Sequence, residues 1–199
     1  MTPFNYPNHV HIRRHAPVGY LDVASFRPWL RDEFNFRCVY CLRRERWEPN
    51  TSIFEIDHIL PVSHQPERTS DYCNLVYSCA VCNLAKGQNT VADPSQIMIS
   101  ITVSVATDGV IHSTSRDVQR LIRQLDLNDP QFILWRKNLI RIIELAAIHD
   151  PELHQRLLGY PDELPNLHLL KPPQGNLKPG GIEQSTYHQR LNGTLPALY

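Results

Sequence analysis

Two cysteine pairs, Cys38-Val39-Tyr40-Cys41 and Cys79-Ala80-Val81-Cys82, bracket the stretch Glu55-Ile56-Asp57-His58-Ile59-Leu60-Pro61 and the dipeptide Asn74-Leu75. The second pair runs directly into Asn83-Leu84-Ala85-Lys86-Gly87. Each C-x-x-C can offer two thiolates to one metal from a tight turn. Four thiolates make the tetrahedral sulfur cage that zinc favours. With 37 residues between Cys41 and Cys79, a pair of strands between the knuckles is needed to bring them together. The competing reading is four buried free thiols, but two correctly spaced pairs argue for zinc. Such a site is structural, because the protein fills all four positions and leaves none for water. The fifth cysteine, Cys73, reads as a small core residue.

The rest of this region follows from periodicity and turn residues. Residues 52–59 (SIFEIDHI) read as a strand, 60–73 as a polar loop with two prolines, and 75–78 as a second strand. A helix is expected from 80 to about 86, ended by Gly87. Upstream, Phe26, Trp29, Leu30 and Phe34 recur at helical spacing over 22–36, with Ser25 as a cap and Pro28 in the first turn.

Downstream, Ile97–Val105 is rich in strand formers, Asp108-Gly109 marks a turn, and Val110-Ile111 can return as a strand. Residues 114–127 read as an amphipathic helix burying Val118, Leu121, Ile122 and Leu125, with Thr114 and Asp117 as a capping box. Residues 130–149 read as a longer, very apolar helix packed on several sides, and 151–158 as a third. Residues 161–199 hold six of the 16 prolines and four of the eight glycines, which reads as an extended tail, flexible or wrapped around a partner. The expected organisation is an arm (1–21), a metal module (22–92), a hairpin with helices (93–160) and a tail (161–199).

Charge narrows the partners. Lys+Arg and Asp+Glu both number 20, so the chain lacks the basic excess of a protein that coats nucleic acid. Phosphate binding must then come from local charge or a metal. An odd cysteine count argues against a secreted disulfide framework. No secretory h-region opens the sequence, and no apolar run approaches the ~18 residues that would read as a membrane span. A soluble, cytoplasmic protein without membrane contact is expected.

The phrases D-H-I-x-P at 57–61, N-L at 74–75 and C-x-x-C-N-x-x-K-G at 79–87 together resemble the HNH endonuclease family, in its zinc-bearing, four-cysteine branch. The three motif letters fall at His58, Asn74 and Asn83. The resemblance covers residues 26–90. It extends more loosely to about 140, where a turn with Asp-Gly, a helix and Leu125-Asp126-Leu127-Asn128-Asp129-Pro130 are similar to stand-alone bacterial members. It implies an α+β fold: a ββα-metal (His-Me finger) module with a structural zinc held by the four paired cysteines, flanked by helices. It also implies hydrolysis of DNA phosphodiesters to 5′-phosphate and 3′-hydroxyl ends.

Such hydrolysis needs a deprotonated water, charge stabilisation at phosphate and help for the leaving oxygen. Histidine titrates near neutrality, so His58 suits a general base. The resemblance implies that Asp57 and Asn83 hold one divalent cation through oxygen, Mg²⁺ or Mn²⁺, and that Asn74 braces the loop and orients the histidine. Neighbours on a regular strand point to opposite faces. For Asp57 and His58 to share a site, a twist or bulge before Pro61 is expected. The sequence departs from the family name at its third letter, where Asn83 replaces histidine. Losing that imidazole favours hard ions over nickel or zinc.

Lys86, Arg43 and Arg44 are candidates for phosphate contact, with Arg46 beside them; the competing reading is a solvated charged face. Glu55 shares a strand face with Asp57. His64 lies in the intervening loop, and His9, His11 and His15 form a cluster without an assigned role. Taken singly, His58 could be a strand-end histidine, Asp57 and Asn74 turn formers, and Asn83 a local backbone bond. Their order between the knuckles favours the functional reading. Two alternatives stand beside a DNase: a zinc-ribbon nucleic-acid-binding module without catalysis, and a nuclease acting on RNA. A zinc deaminase would need H-x-E, and His58 is followed by Ile59-Leu60. One such site nicks; a double-strand break would need a homodimer or two visits.

Overall fold

The computed structural model describes residues 3–4, 11–100, 102–172 and 179–199. A 3₁₀ turn at Val23–Phe26 feeds helix α1, Arg27–Glu33. Asp22, not Ser25, caps the turn, its side chain accepting from the Ala24 N–H. The helix stops short of residue 36 because Asn35 and Phe36 take positive φ (48° and 54°). That left-handed reversal aims the chain into the first knuckle. There Arg37 and Arg44 form an isolated antiparallel bridge, and the Cys38 N–H donates to the Arg43 carbonyl at 2.8 Å.

Strand β1, Phe54–His58, pairs antiparallel with β2, Leu75–Cys79, in the register Phe54↔Cys79 to His58↔Leu75. Helix α2, Ala80–Lys86, leaves β2 without a loop and ends at Gly87, whose φ of 53° favours glycine. The Val39 N–H donates to the Tyr77 carbonyl at 2.9 Å, tying the first knuckle to β2. The strand–strand–helix order expected for the module is therefore present.

The strand expected over 97–105 is largely replaced. Asp93 accepts from the Ser95 N–H with Pro94 in the first turn, and this capping draws Pro94–Ile97 into a short helix, α3. Only β3, Val103–Val105, remains, and it pairs with β4, Ile111–Ser113. Gly109 takes φ 88° in the turn and lies against the backbone of Ile133 and Lys137. A Cβ there would sit 2.3 Å from the Ile133 carbonyl oxygen.

Helix α4, Arg116–Gln124, buries Val118, Leu121 and Ile122. The expected capping box does not form: Ser115 is the N-cap and makes no side-chain cap bond. Helix α5 spans Pro130–His149 and α6 spans Pro151–Leu158, capped by Asp129 and Asp150. Packing of α5 on several sides is not what the structure shows. It buries Arg136, Ile140, Ile143 and Ala146, while Leu134 and Ile148 are 58% and 72% exposed.

Described residues near both ends pack on the body of the fold. Helix α7, Thr186–Leu191, follows a 3₁₀ turn at Leu167–Leu169. The Thr186 N–H and hydroxyl both donate to Asp32 Oδ1, and the Tyr199 ring stacks on Tyr160 at 4.3 Å. The tail thus wraps its own body. At the other end, Phe4 is buried against Trp47 and Trp135. His15 Nε2 lies 2.8 Å from Asp32 Oδ2, and His11 Nε2 lies 3.3 Å from Glu33 Oε1. One apolar core runs from Phe4 through β2 to Leu167. No helix among the described residues is long and apolar enough to cross a membrane.

Candidate active site and metal centre

The β1–β2 pairing brings the two knuckles together. The sulfur atoms of Cys38, Cys41, Cys79 and Cys82 all lie within 4.8 Å of one another, and Cys41 Sγ and Cys79 Sγ are 3.8 Å apart. A tetrahedral zinc with sulfurs at about 2.3 Å sets them about 3.8 Å apart. The cage therefore fits zinc in size as well as in donor chemistry. All four thiols are reduced and buried. Burial and the neighbouring thiols push Cys38 up, while hydrogen bonds from Cys38, Cys41 and Cys82 hold Cys79 far below the ordinary thiol range. A bound dication would supply the reason for all four to be thiolates. Leu127, Trp135, Arg136 and Arg43 close its outer side. Cys73 is not a core residue: it is exposed in the 3₁₀ turn Tyr72–Asn74.

From this cage the structure reaches Asp57 directly. Tyr40, inside the first knuckle, donates its hydroxyl to Asp57 Oδ2 at 2.6 Å. Lys86 Nζ donates to Asp57 Oδ1 at 3.1 Å. Beside them Asn83 Nδ2 donates to Glu55 Oε2 at 2.6 Å. Glu55 and Asp57 share a face of β1 because strand side chains alternate. Asn83 and Lys86 share a face of α2 because residues three apart are neighbours on a helix. The two faces meet in two rungs, one neutral-to-anionic and one a full ion pair. Burial pushes the Asp57 carboxyl up, against the pull of Tyr40 and Lys86.

His58 sits at the end of the same strand. The strand pairs regularly through His58↔Leu75, without the expected bulge. Asp57 and His58 nevertheless both line one shallow depression of about 160 Å³, together with Pro61, Val62, Ser63, Lys86, Gly87 and Gln88. The strand end is simply sandwiched between the loop after Pro61 and the C-terminus of α2, so both of its faces border the opening. His58 Nε2 lies 2.9 Å from the Thr69 carbonyl oxygen. A carbonyl only accepts, so Nε2 carries a proton, and in the neutral form of the ring the lone pair is on Nδ1.

Asn74 holds this loop from both sides. Its Oδ1 accepts from the Leu60 N–H at 2.9 Å, and its Nδ2 donates to the carbonyls of Leu60 and Arg68 at 3.1 and 3.3 Å. Arg68 precedes Thr69, whose carbonyl holds His58.

The basic and histidine candidates are mostly engaged within the fold. Lys86 is 1% exposed and paired, not solvated. Arg44 is 3% exposed, its guanidinium donating to the Leu158 and Pro3 carbonyls, so it is not open to a phosphate. Arg43 pairs with Glu48 at 2.8 Å and stacks over Trp135 at 4.2 Å. Arg46 pairs with Asp162 at 2.9 Å. His64 is exposed, with Nδ1 3.4 Å from the Thr90 hydroxyl. Inside the fold His11 lies against Glu33 and His15 against Asp32, and His9 lies outside the described residues. Sequence reasoning missed Tyr40 and Thr69. Tyr40 carried a usable signal, an aromatic hydroxyl between two metal ligands; Thr69 acts through its backbone and carried none. A larger cleft of about 590 Å³ lies away from this depression, but its Arg31, Glu45, Arg46 and Asp162 walls largely neutralise one another.

The segment that builds both the cage and the depression, residues 38–89, matches the family model for HNH endonuclease. This stretch is similar to an HNH endonuclease domain. The match begins at the first zinc-cage cysteine and ends just beyond α2, and the paired cysteines place the domain in the zinc-bearing branch. An HNH domain points to a nuclease-type or nucleic-acid-interacting function. No curated protein matches the chain.

Proposed function

We propose that this protein is a metal-dependent endonuclease that hydrolyses DNA phosphodiester bonds at the depression beside His58. The observation that carries the reading is the His58–Thr69 hydrogen bond next to a carboxylate, within a matched HNH domain. His58 Nδ1 takes the proton from the attacking water. The Thr69 carbonyl holds the ring and steadies the positive charge that forms on it, and Asn74 holds the loop that carries Thr69.

The side chains expected to take a catalytic cation are Asp57 and Asn83. Their oxygen donors, with no thiolate or imidazole among them, suit a hard ion such as Mg²⁺ or Mn²⁺. Both are engaged here, Asp57 by Tyr40 and Lys86, Asn83 by Glu55. Taking a cation on Asp57 Oδ1 therefore requires Lys86 to let go. When bound, the ion would stabilise charge on the phosphate and the leaving oxygen. The zinc cage fixes Tyr40, and Tyr40 fixes Asp57, so the structural metal supports the site without joining the chemistry. One site nicks one strand; paired breaks would come from a homodimer or a second visit.

The test is incubation of wild type and His58→Ala with supercoiled plasmid in Mg²⁺, Mn²⁺ or excess EDTA. Loss of a general base lowers the rate about 10²–10⁴-fold. Equal cleavage by both proteins overturns the mechanism. Binding without cleavage in any ion would leave a zinc-ribbon binding module, and cleavage of RNA alone would change the substrate class.

A further inference from the structure

We propose that the outward face of α4 docks the phosphate backbone of duplex DNA through Arg116, Arg120 and Arg123. The choice of DNA rests on the nuclease reading above; the surface itself rests on α4. At about 100° per residue, the three arginines fall within a sector of about 60°. That sector is diametrically opposite the face buried through Val118, Leu121 and Ile122. All three are exposed. Among the described residues none of them takes an ion pair or a side-chain hydrogen bond within the chain.

This distinguishes them from most of the arginines nearer the module. Arg27, Arg31, Arg44 and Arg136 donate inward to carbonyls or carboxylates. A chain with equal formal charges can still present a local positive stripe when so many cations are occupied internally. The nearest acid on the helix, Asp117, stands about 100° round from Arg116 and does not neutralise the row.

The partner chemistry follows from what the face lacks. From Arg116 to Arg123 the row is about 10 Å long, which spans about three phosphates of one strand at about 3.4 Å of axial rise each. Gln124 flanks it and can reach phosphate or sugar oxygens, while the Gln119 amide donates to the Ser113 carbonyl at 2.8 Å. No large apolar side chain is exposed on α4, so the face has no centre of the kind a protein interface needs. Guanidinium groups without an apolar core suit a polyanion.

The row is also registered against the site. Just beyond α4, Leu127 packs beside Cys41, Cys79 and Cys82, and its carbonyl accepts from Arg136 Nη2 at 2.8 Å. The same cage launches α2, which carries Asn83 and Lys86 to β1. A strand held on α4 is therefore held by the scaffold that carries the depression.

The test uses the full-length, zinc-loaded His58→Ala protein, so that cleavage does not obscure binding. Its affinity for a fluorescent 20-base-pair duplex is measured from about 50 to 300 mM salt, with and without R116Q/R120Q/R123Q. Each lost phosphate contact flattens the log–log salt slope by about 0.9. The triple variant should flatten it by about 2.7 and bind more weakly at low salt, and each single variant by about 0.9. Circular dichroism and zinc content confirm that the triple variant is folded. An unchanged slope in the folded triple variant, or a flattening seen with single-stranded RNA or polyglutamate but not with the duplex, overturns the proposal. Plasmid cleavage by wild type is read separately: cleavage with an unchanged slope removes the α4 surface and leaves the nuclease standing.

Discussion

Lys86 Nζ on α2 lies 3.1 Å from Asp57 Oδ1 on β1, and both side chains are almost wholly shielded from water. The ammonium is thus the counter-ion of the carboxylate. Removing it alone strands a buried charge, which costs about 3–5 kcal/mol. Lys86→Met should lower the urea midpoint accordingly, and adding Asp57→Asn should recover much of the loss. A Lys86→Met protein with the wild-type midpoint would show that Asp57 is satisfied by Tyr40 alone.

Asn74 acts on the candidate base through the loop. Asn74→Ala leaves the Leu60 N–H and carbonyl without a partner and removes one of the two donors to the Arg68 carbonyl, the other being the Asp71 N–H, for a loss of about 1–3 kcal/mol in stability. In the proposed mechanism Asn74 positions His58 without contacting substrate, so kcat should fall and KM should stay near the wild-type value. A fall in kcat/KM carried by KM would place Asn74 in substrate binding instead.

The cage makes its own prediction. Structural zinc contributes its binding energy to folding, so a strong chelator or Cys79→Ser should release close to one zinc per chain and abolish the cooperative unfolding transition. Metal analysis and circular dichroism on one sample check this. Metal-free protein with an intact transition would reduce the quartet to buried thiols.

Acid should open the other end of α1. Burial opposes ionisation of Glu33, but the neighbouring His11 and His15 rings and the N–H groups of Arg14 and His15 outweigh it and hold the carboxyl down to about 2. A carboxyl depressed in the folded state stabilises it above the ordinary carboxyl range and loses that contribution as pH falls. Glu33 should therefore contribute about 3 kcal/mol near neutrality, by the ~1.4 kcal/mol per pH unit of linkage, lost between about pH 4.5 and 2. Asp32 is lowered too and adds to the same slope. Unfolding of Glu33→Gln measured between pH 5 and 2 should show a shallower loss; an identical slope would exclude Glu33 as the acid-labile group.

Arg44 separates structure from recognition. Arg44→Ala releases the Pro3 and Leu158 carbonyls and should destabilise the fold by about 1–3 kcal/mol. The salt slope of duplex binding should stay unchanged. A flattened slope would return Arg44 to the binding surface.

The metal module was legible because its signals are local. C-x-x-C spacing, Pro61 and Gly87 mark the turns, and the alternation in 54–58 marks the strand between them. Asp-Pro at 129–130 and 150–151 likewise set the starts of α5 and α6. What escaped were contacts between distant parts of the chain. Nothing around Thr186 announces that it will bond Asp32, and nothing around His15 announces the same carboxylate. The pairing of Lys86 with Asp57 was hidden for the same reason: helical spacing shows which face Lys86 occupies, not what that face meets. The stop of α1 at Glu33 depends on two left-handed residues, Asn35 and Phe36, of which only Asn carries such a tendency.

The closure of the sulfur cage by Leu127, Trp135 and Arg136 bears on the order of assembly during translation. Cys79 and Cys82 leave the ribosome well after Cys41, and the residues that cover the cluster follow later still. A nascent chain ending before α5 has its four sulfurs but no lid, with the metal open to solvent and to competing thiols. Such a half-made chain has neither a sealed cage nor the scaffold behind its catalytic strand. In the nuclease reading proposed above, competence to cut would arise only after α5 has been made and has covered the cage.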